Sequence, residues 1–391
     1  MTTPILRIIS DITDIPVAKW DALSGGDPFT SHAYLHALQA SGCATAEFGW
    51  QPRFITLWQD DNLIGAMPLY LKMNSYGEHV FDFAWAEAYQ RHGLDYYPKL
   101  VCLVPFAPVT GPRLLASTEK NKETLLDAAL AMAKGELAGD DSPLSLQERG
   151  DGGVSSLHCL FLNEADVRVA QSRGMMLRQD VQFHWQNNNY RDFEDFLAAL
   201  SRDKRKRIKQ DRRRVQDAGI TLQCITGDAA TEEQWSFFAS CYAYKRQTHY
   251  SPPALNDDFF HRIGVSMPHH ALLVIASREG RMIASALNIM TDEILYGRSW
   301  GAFEFHSGLH FEACFYQAIE FCIARGIKAF EGGSGGEHKL SRGFLPVTTH
   351  SAHWLAHPEF SRAVENYLQR ESDAVAEYVD ELNEHSPFKN S

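Results

Sequence analysis

Apolar positions along the chain switch repeatedly between a period of two and a period near 3.6, the mark of mixed α/β structure. Leu6–Ser10 reads as a short strand and Val17–Leu23 as a helix. Thr30 or Ser31 is placed to cap a second helix through Tyr34–Ala40, because a hydroxyl there accepts from the first free amides. Arg53–Gln59, the turn Asp60-Asp61-Asn62 and Leu63–Lys72 make a hairpin. Pro68 lies inside its second arm, and a residue without an amide hydrogen implies an edge or a bulge. An aromatic-rich stretch, Tyr76–Tyr97, precedes an apolar strand at Leu100–Pro105 and an amphipathic helix at Glu123–Lys134. Residues 135–153, rich in Gly, Asp and Ser, read as a loop before a buried strand at Leu157–Leu162.

The second half repeats this outline. Ala271–Ser277, the turn Arg278-Glu279-Gly280 and Met282–Met290 form another hairpin, and Leu63-Ile64-Gly65-Ala66 lines up with Met282-Ile283-Ala284-Ser285. Each hairpin is followed by strand, loop, helix and strand, which points to internal duplication. The later helix, Phe311–Arg325, sets Phe311, Phe315, Ile319 and Cys322 on one face as core. Between the halves, Leu197, Leu200, Ile208 and Val215 lie on one face of a long helix over Phe193–Ala218. Its other faces hold nine basic residues against Asp203 and Asp211 between positions 202 and 214, a local charge of +7 in a chain of −12.

A length of 391 residues suits two hydrophobic cores rather than one. The negative balance argues against a surface coated throughout for nucleic acid, yet leaves the basic helix as a local patch. The N-terminus carries Asp11 and Asp14 and no apolar run, so no signal peptide is expected. No window reaches the ~18 apolar residues of a membrane helix. A cytoplasmic protein with at most peripheral membrane contact is expected. Seven cysteines without a CxxC pair read as reduced thiols.

Several runs resemble a known family. Leu200-Ser201 leading into Lys206-Arg207-Ile208-Lys209 and closing at Ala218-Gly219-Ile220 is similar to the entry into the second half of Fem-type ligases. Leu309-His310-Phe311-Glu312, then Phe330-Glu331-Gly332-Gly333, then Lys339-Leu340-Ser341-Arg342-Gly343-Phe344 resembles their helix-strand-glycine element and the lysine loop after it. Ser31-His32-Ala33-Tyr34-Leu35, Gly65-Ala66-Met67-Pro68-Leu69-Tyr70, His92-Gly93-Leu94-Asp95-Tyr96-Tyr97-Pro98-Lys99-Leu100 and Gly336-Glu337-His338-Lys339 resemble a bacterial subgroup, the FemAB-like N-acyltransferases of peptidoglycan biosynthesis or recognition. The resemblance implies an α/β (α+β) fold of tandem GNAT-like domains, mixed twisted sheets flanked by helices. The expected division is a first domain over 1–192, a basic linker helix over 193–219, and a second domain with a helical tail over 220–391. It implies transfer of an acyl or aminoacyl group, from acyl-CoA or aminoacyl-tRNA, to an amine on a peptidoglycan precursor. A ligase with another acceptor, a non-catalytic cell-wall peptide-binding protein and an RNA-binding factor are the alternatives. Leu345-Pro346 departs from the ligases, which continue there with glycine.

Acyl transfer to an amine needs a neutral nucleophile, donors for the oxyanion and a proton acceptor. Glu331, at the end of a strand, and His338, with a side chain that titrates near neutrality, are the candidate bases. Gly332 and Gly333 allow backbone amides to approach an anion, with Lys339 and Arg342 behind them. Arg298, Trp300 and His310 are further candidate substrate contacts. Arg298-Ser299-Trp300-Gly301-Ala302 matches part of the R-x-x-G-x-G/A pyrophosphate loop of GNAT enzymes, but Phe303 occupies the last position. Coenzyme A is therefore allowed and not demanded. Trp85, His92, Tyr96, Tyr97 and Lys99 are expected to wall a cleft for a sugar or peptide. Arg212, Arg213 and Arg214 are the candidate contacts to a tRNA backbone. His350 and His353 would face opposite sides of a strand, and His306 and His310 lack the HExxH glutamate, so no metal is expected.

Overall fold

The computed structural model describes residues 3–136, 153–248, 254–336 and 338–389; most of the loop expected over 135–153 lies outside the described residues. The chain divides into two compact units, Met1–Asp180 with Thr349–Val375, and Val181–Thr348 with Ala376–Ser391.

In the first unit β1 (Ile5–Ile9), α1 (Val17–Ser24) and α2 (His32–Ala40) precede the predicted hairpin. Ser31, not Thr30, caps α2, its Oγ accepting from the Tyr34 amide. A short strand β2 (Trp50–Pro52) precedes the first arm, β3 (Phe54–Gln59), and the second arm breaks in two, β4 (Asn62–Met67) and β5 (Leu69–Lys72). Pro68 is the break in the second arm. There the chain leaves the small sheet β1-β3-β4 and enters the sheet that begins β2-β5, so the missing amide falls between two ladders. The Arg53 amide donates to the Leu69 carbonyl across this corner.

The aromatic stretch contains α3 (Phe83–Arg91), whose Trp85 and Tyr89 pack on Val364 and Leu368 of the C-terminal helix Pro358–Glu384. Next, β6 (Lys99–Cys102) runs parallel to β7 (Ser156–Leu162). A parallel pair needs a crossover, and α4 (Glu119–Ala133) lies within it. Its Leu125, Leu126, Ala129 and Met132 are buried with Ile55, Leu69, Leu100 and Leu157. Each fully buried leucine of this kind stabilises by roughly 1.5–3 kcal/mol. After α5 (Glu164–Ser172), the part of the strand Leu345–Leu355 from Thr349 onward adds to the unit, antiparallel to β7.

The second unit begins at Val181 within β8 (Met176–Gln186) and continues with α6 (Phe193–Ala199) and α7 (Arg202–Asp217). The sequence reads residues 193–219 as one linker helix; they form two, and both lie inside this unit. Leu200 turns extended (φ −76°, ψ 156°), and the Ser201 amide donates to the Pro387 carbonyl rather than back into α6. Then β9 (Ile220–Thr226), α8 (Glu232–Thr248), α9 (Asp257–Ser266), β10 (Ala271–Arg278), β11 (Arg281–Met290) and β12 (Ile294–Ala302) follow. The strands are antiparallel neighbours in the order β9-β10-β11-β12. The helix expected over 311–325 is longer and irregular: α10 (Leu309–Phe311), a π turn (Glu312–Tyr316) and α11 (Gln317–Arg325). It crosses over to β13 (Ala329–Ser334), parallel to β12 and antiparallel to β8. Both units are thus α/β, with mixed sheets flanked by helices, and both place a helical crossover before a parallel strand.

Candidate active site

Strands β12 and β13 pair over only three residues, Ile294↔Ala329, Leu295↔Phe330 and Tyr296↔Glu331. Beyond them the strands part. Opposite this point β12 carries a bulge: Gly297 pairs with Asn288 and Ser299 with Leu287, leaving Arg298 as the extra residue. A bulge bends its strand and turns backbone groups out of the ladder. The space between the strands is a cavity of about 350 Å³, lined by Gly297, Arg298, Ser299 and Trp300 on one side and Gly332, Ser334 and Gly335 on the other. Lys245 of α8, His310, Cys314 of the π turn, His338 and Lys339 also line it. A neighbouring cavity of about 310 Å³ shares Lys245, Trp300 and His310 and extends past Phe303 and Phe305.

The glycines here are required by close approach. A Cβ on Gly332 would sit 3.0 Å from the Phe183 carbonyl oxygen, and one on Gly336 (φ +97°) would sit 2.2 Å from the His338 ring. Gly336 therefore both makes the left-handed turn and seats the imidazole. Burial pushes the His338 ring below its ordinary pKa, with the Lys339 and Arg342 charges adding to it, which favours the neutral imidazole. His310, packed 4.8 Å from the Trp300 ring centre, is pushed down to about 4 by burial and then by Lys245. Lys339 Nζ donates to the carbonyls of Gly333 and Ser334 at 3.1 and 2.9 Å, and burial lowers it to about 8. The Cys314 thiol is raised to about 12 by burial.

Other expected residues take different places. Glu331 does not line the cavity: successive strand side chains alternate, so Phe330 and Gly332 face the cavity while the Glu331 carboxylate lies 3.9 Å from His184 Nε2. Arg342 is 1 % exposed and serves the fold. Its guanidinium donates to Asp211 Oδ2 (2.9 Å), the Tyr316 hydroxyl (2.9 Å) and the His338 carbonyl (2.7 Å). The last bond pins the turn that presents His338 and Lys339. Gly301 is strand, not loop: a Cβ there would lie 2.1 Å from the Cys241 carbonyl oxygen, so this glycine lets α8 press on β12. The partial pyrophosphate-loop match therefore reflects helix packing.

Trp85, Tyr96 and Lys99 are buried within the first unit. Lys99 Nζ bonds Glu78 Oε2 at 2.8 Å and also meets Asp82, while the Tyr96 hydroxyl donates to Asp82 Oδ2 at 2.6 Å. Tyr97 shares a hydrogen bond with Ser75, and His92 Nδ1 meets the Ala88 carbonyl. Of the three arginines, Arg212 pairs with Glu312 (3.2 Å) and Glu320 (2.9 Å), Arg213 with Asp217, and Arg214 lies 3.9 Å from Asp211. Lys245, Asn288 and Cys314, none of them a candidate from the sequence, line the cavity from three separate elements. No motif marks any of them.

The whole chain shares its fold with two solved proteins. FemX superposes with a TM-score of 0.54 at 11% identity, covering 90% of this chain and 98% of that one. L-PGS from Bacillus licheniformis superposes with a TM-score of 0.52 at 10% identity, covering 95% and 99%. No curated protein matches in sequence. The sequence profile of one family matches residues 11–390. The chain belongs to the FemAB-like family, described as acting in peptidoglycan biosynthesis/recognition.

Proposed function

We propose that the chain transfers an acyl or aminoacyl group to an amine of a peptidoglycan precursor, in the cleft between β12 and β13. One observation carries this reading: the two parallel strands part beside the bulge at Arg298, and His338 stands over the same cavity. Backbone amides freed from the ladder supply donors for a tetrahedral oxyanion. The amine nitrogen attacks the donor carbonyl, His338 accepts the proton the nitrogen loses, and the carbon–oxygen or carbon–sulfur bond to the carrier breaks with a proton returned to the leaving atom. Two features favour an aminoacyl ester of tRNA over acyl-CoA: the absence of a glycine cradle at Gly301, and the aromatic wall of Trp300, Phe303 and Phe305, which suits stacking on a base.

Thermal shift with an acyl-CoA, a charged tRNA and a muropeptide tests the ligands, since a ligand held by the native state raises the melting temperature. The expected result is stabilisation by charged tRNA and muropeptide, with transfer of the amino acid followed by mass. His338→Gln slows turnover at least tenfold with little change in KM, whereas Glu331→Gln, off the cavity, leaves turnover nearly intact. Muropeptide binding with no turnover of any donor would replace the enzyme by a recognition module. Full activity in His338→Gln would remove that residue as base.

A further inference from the structure

Helix α8 turns Trp235, Phe238 and Tyr242 toward the core. The spacing of three and four continues to Lys245, so a half-buried lysine ends the stripe. Gly301 lets β12 lie against the Cys241 carbonyl one turn earlier, which keeps this end of the helix close to the strand. Lys245 accordingly reaches over Trp300, its Nζ 6.0 Å from the ring centre, and lines both cavities where they meet.

Among the described residues no carboxylate lies within ion-pair distance of Lys245. The larger cavity is lined by Lys245, Arg298 and Lys339 and by no described acidic residue. Glu304, on the smaller one, is engaged by His306 at 2.9 Å and Arg278 at 3.7 Å. Lys245 and Lys339 both act electrostatically on His310 and Cys314, so two cations converge on one spot. Burying a cation without an anion is costly, and gathering like charges adds to the cost. An aromatic face near the 6 Å limit offsets little of it.

We propose that Lys245, with Lys339 beside it, is the seat of one anionic group of the ligand, a phosphate or a carboxylate, at the junction of the two cavities. The proposal rests on the cleft being the ligand site and adds the chemical class that it grips. A phosphate would belong to a nucleotide-borne donor, a carboxylate to a peptide acceptor.

The test uses the full chain and two probes, inorganic pyrophosphate and an N-acetylated dipeptide with a free carboxylate, titrated calorimetrically into wild type, Lys245→Gln, Lys245→Arg and the surface control Lys328→Gln. A bond to a charged group is worth about ten- to a hundredfold in affinity. One probe should therefore bind wild type, weaken by that factor in Lys245→Gln, recover in Lys245→Arg and stay unchanged in Lys328→Gln. The same probe should protect Lys245, and not Lys328, from an amine-acylating reagent read by mass spectrometry. Which probe does so identifies the group. Binding equal in wild type and Lys245→Gln, or neither probe bound at millimolar concentration, overturns the proposal. If charged tRNA or muropeptide still stabilises a Lys245→Gln protein as it does wild type, the anion seat fails while the transfer reading stands; if none of the ligands acts on wild type, the transfer reading itself fails.

Discussion

Replacing Asp211 by alanine tests whether the turn bearing His338 and Lys339 is held from α7. Arg342 and Asp211 are 1% and 8% exposed at the side chain and 2.9 Å apart, so solvent screens the pair little. Removing the carboxylate leaves a buried guanidinium with the Tyr316 hydroxyl and a carbonyl for company, and takes an acceptor from Tyr316 as well. Breaking a buried pair from one side costs about 3–5 kcal/mol. For a cooperative unit of this size each kcal/mol moves the melting temperature by about 2–4 °C, so a fall on the order of 10 °C is expected. Replacing both partners by apolar residues, Asp211→Leu with Arg342→Met, removes the stranded charge and should cost clearly less than the sum of the single changes. Urea melts give the free energies, and the rate at which Lys339 is acylated reports whether the turn has moved. A single-variant loss under about 1 kcal/mol, or a double variant as costly as the sum, would refute the view that this ion pair holds the turn.

Gly301→Ala puts a methyl 2.1 Å from the Cys241 carbonyl oxygen. Overpacking of this kind costs about 1–3 kcal/mol; because α8 must shift, Lys245 should also become more reactive to acylation. His158 is buried and held down to about 3, first by desolvation and then by Lys99. Its folded pKa lies below the unfolded one, so its stabilising effect is whole above about pH 6.5 and is lost as pH falls toward 3. Between pH 6.5 and 5 that is about 2 kcal/mol, and His158→Asn should flatten the pH slope of urea unfolding by nearly one proton. An unchanged slope would mean that His158 is accessible to protons in the folded state. Charge reversal at Arg213 and Arg214 should lower the salt dependence of tRNA binding by about one counterion for each phosphate left unneutralised; Arg212, tied to Glu312 and Glu320, should matter through stability instead.

What the sequence shows well is local. The Ser31 cap and the hairpin β10–β11 each follow from a few neighbouring residues, and the structure has both; Pro68, read as an edge or a bulge within one strand, instead divides it into β4 and β5. Partnerships between distant residues are a different matter. Arg342 reads as an anion ligand because it follows glycines and a lysine; its actual partner lies 131 positions earlier, on the very helix whose positive charge draws attention. Lys99 likewise meets Glu78 and Asp82 across a loop that composition alone calls aromatic. Glu331 shows a nearer miss, since the phase of β13 was open to reading: if Phe330 faces the cavity, its neighbour cannot. Lys245 is subtler still. The stripe of α8 is plain in the sequence, and a lysine at its end passes for an ordinary basic last turn. Only the close approach of Gly301 to the Cys241 carbonyl, which holds the helix flat on β12, turns that lysine into a cation enclosed at the mouth of two cavities. The helix that supports the fold thus also sets the charge of the cleft, and a substitution that shifts α8, such as Gly301→Ala, should change stability and the environment of Lys245 together.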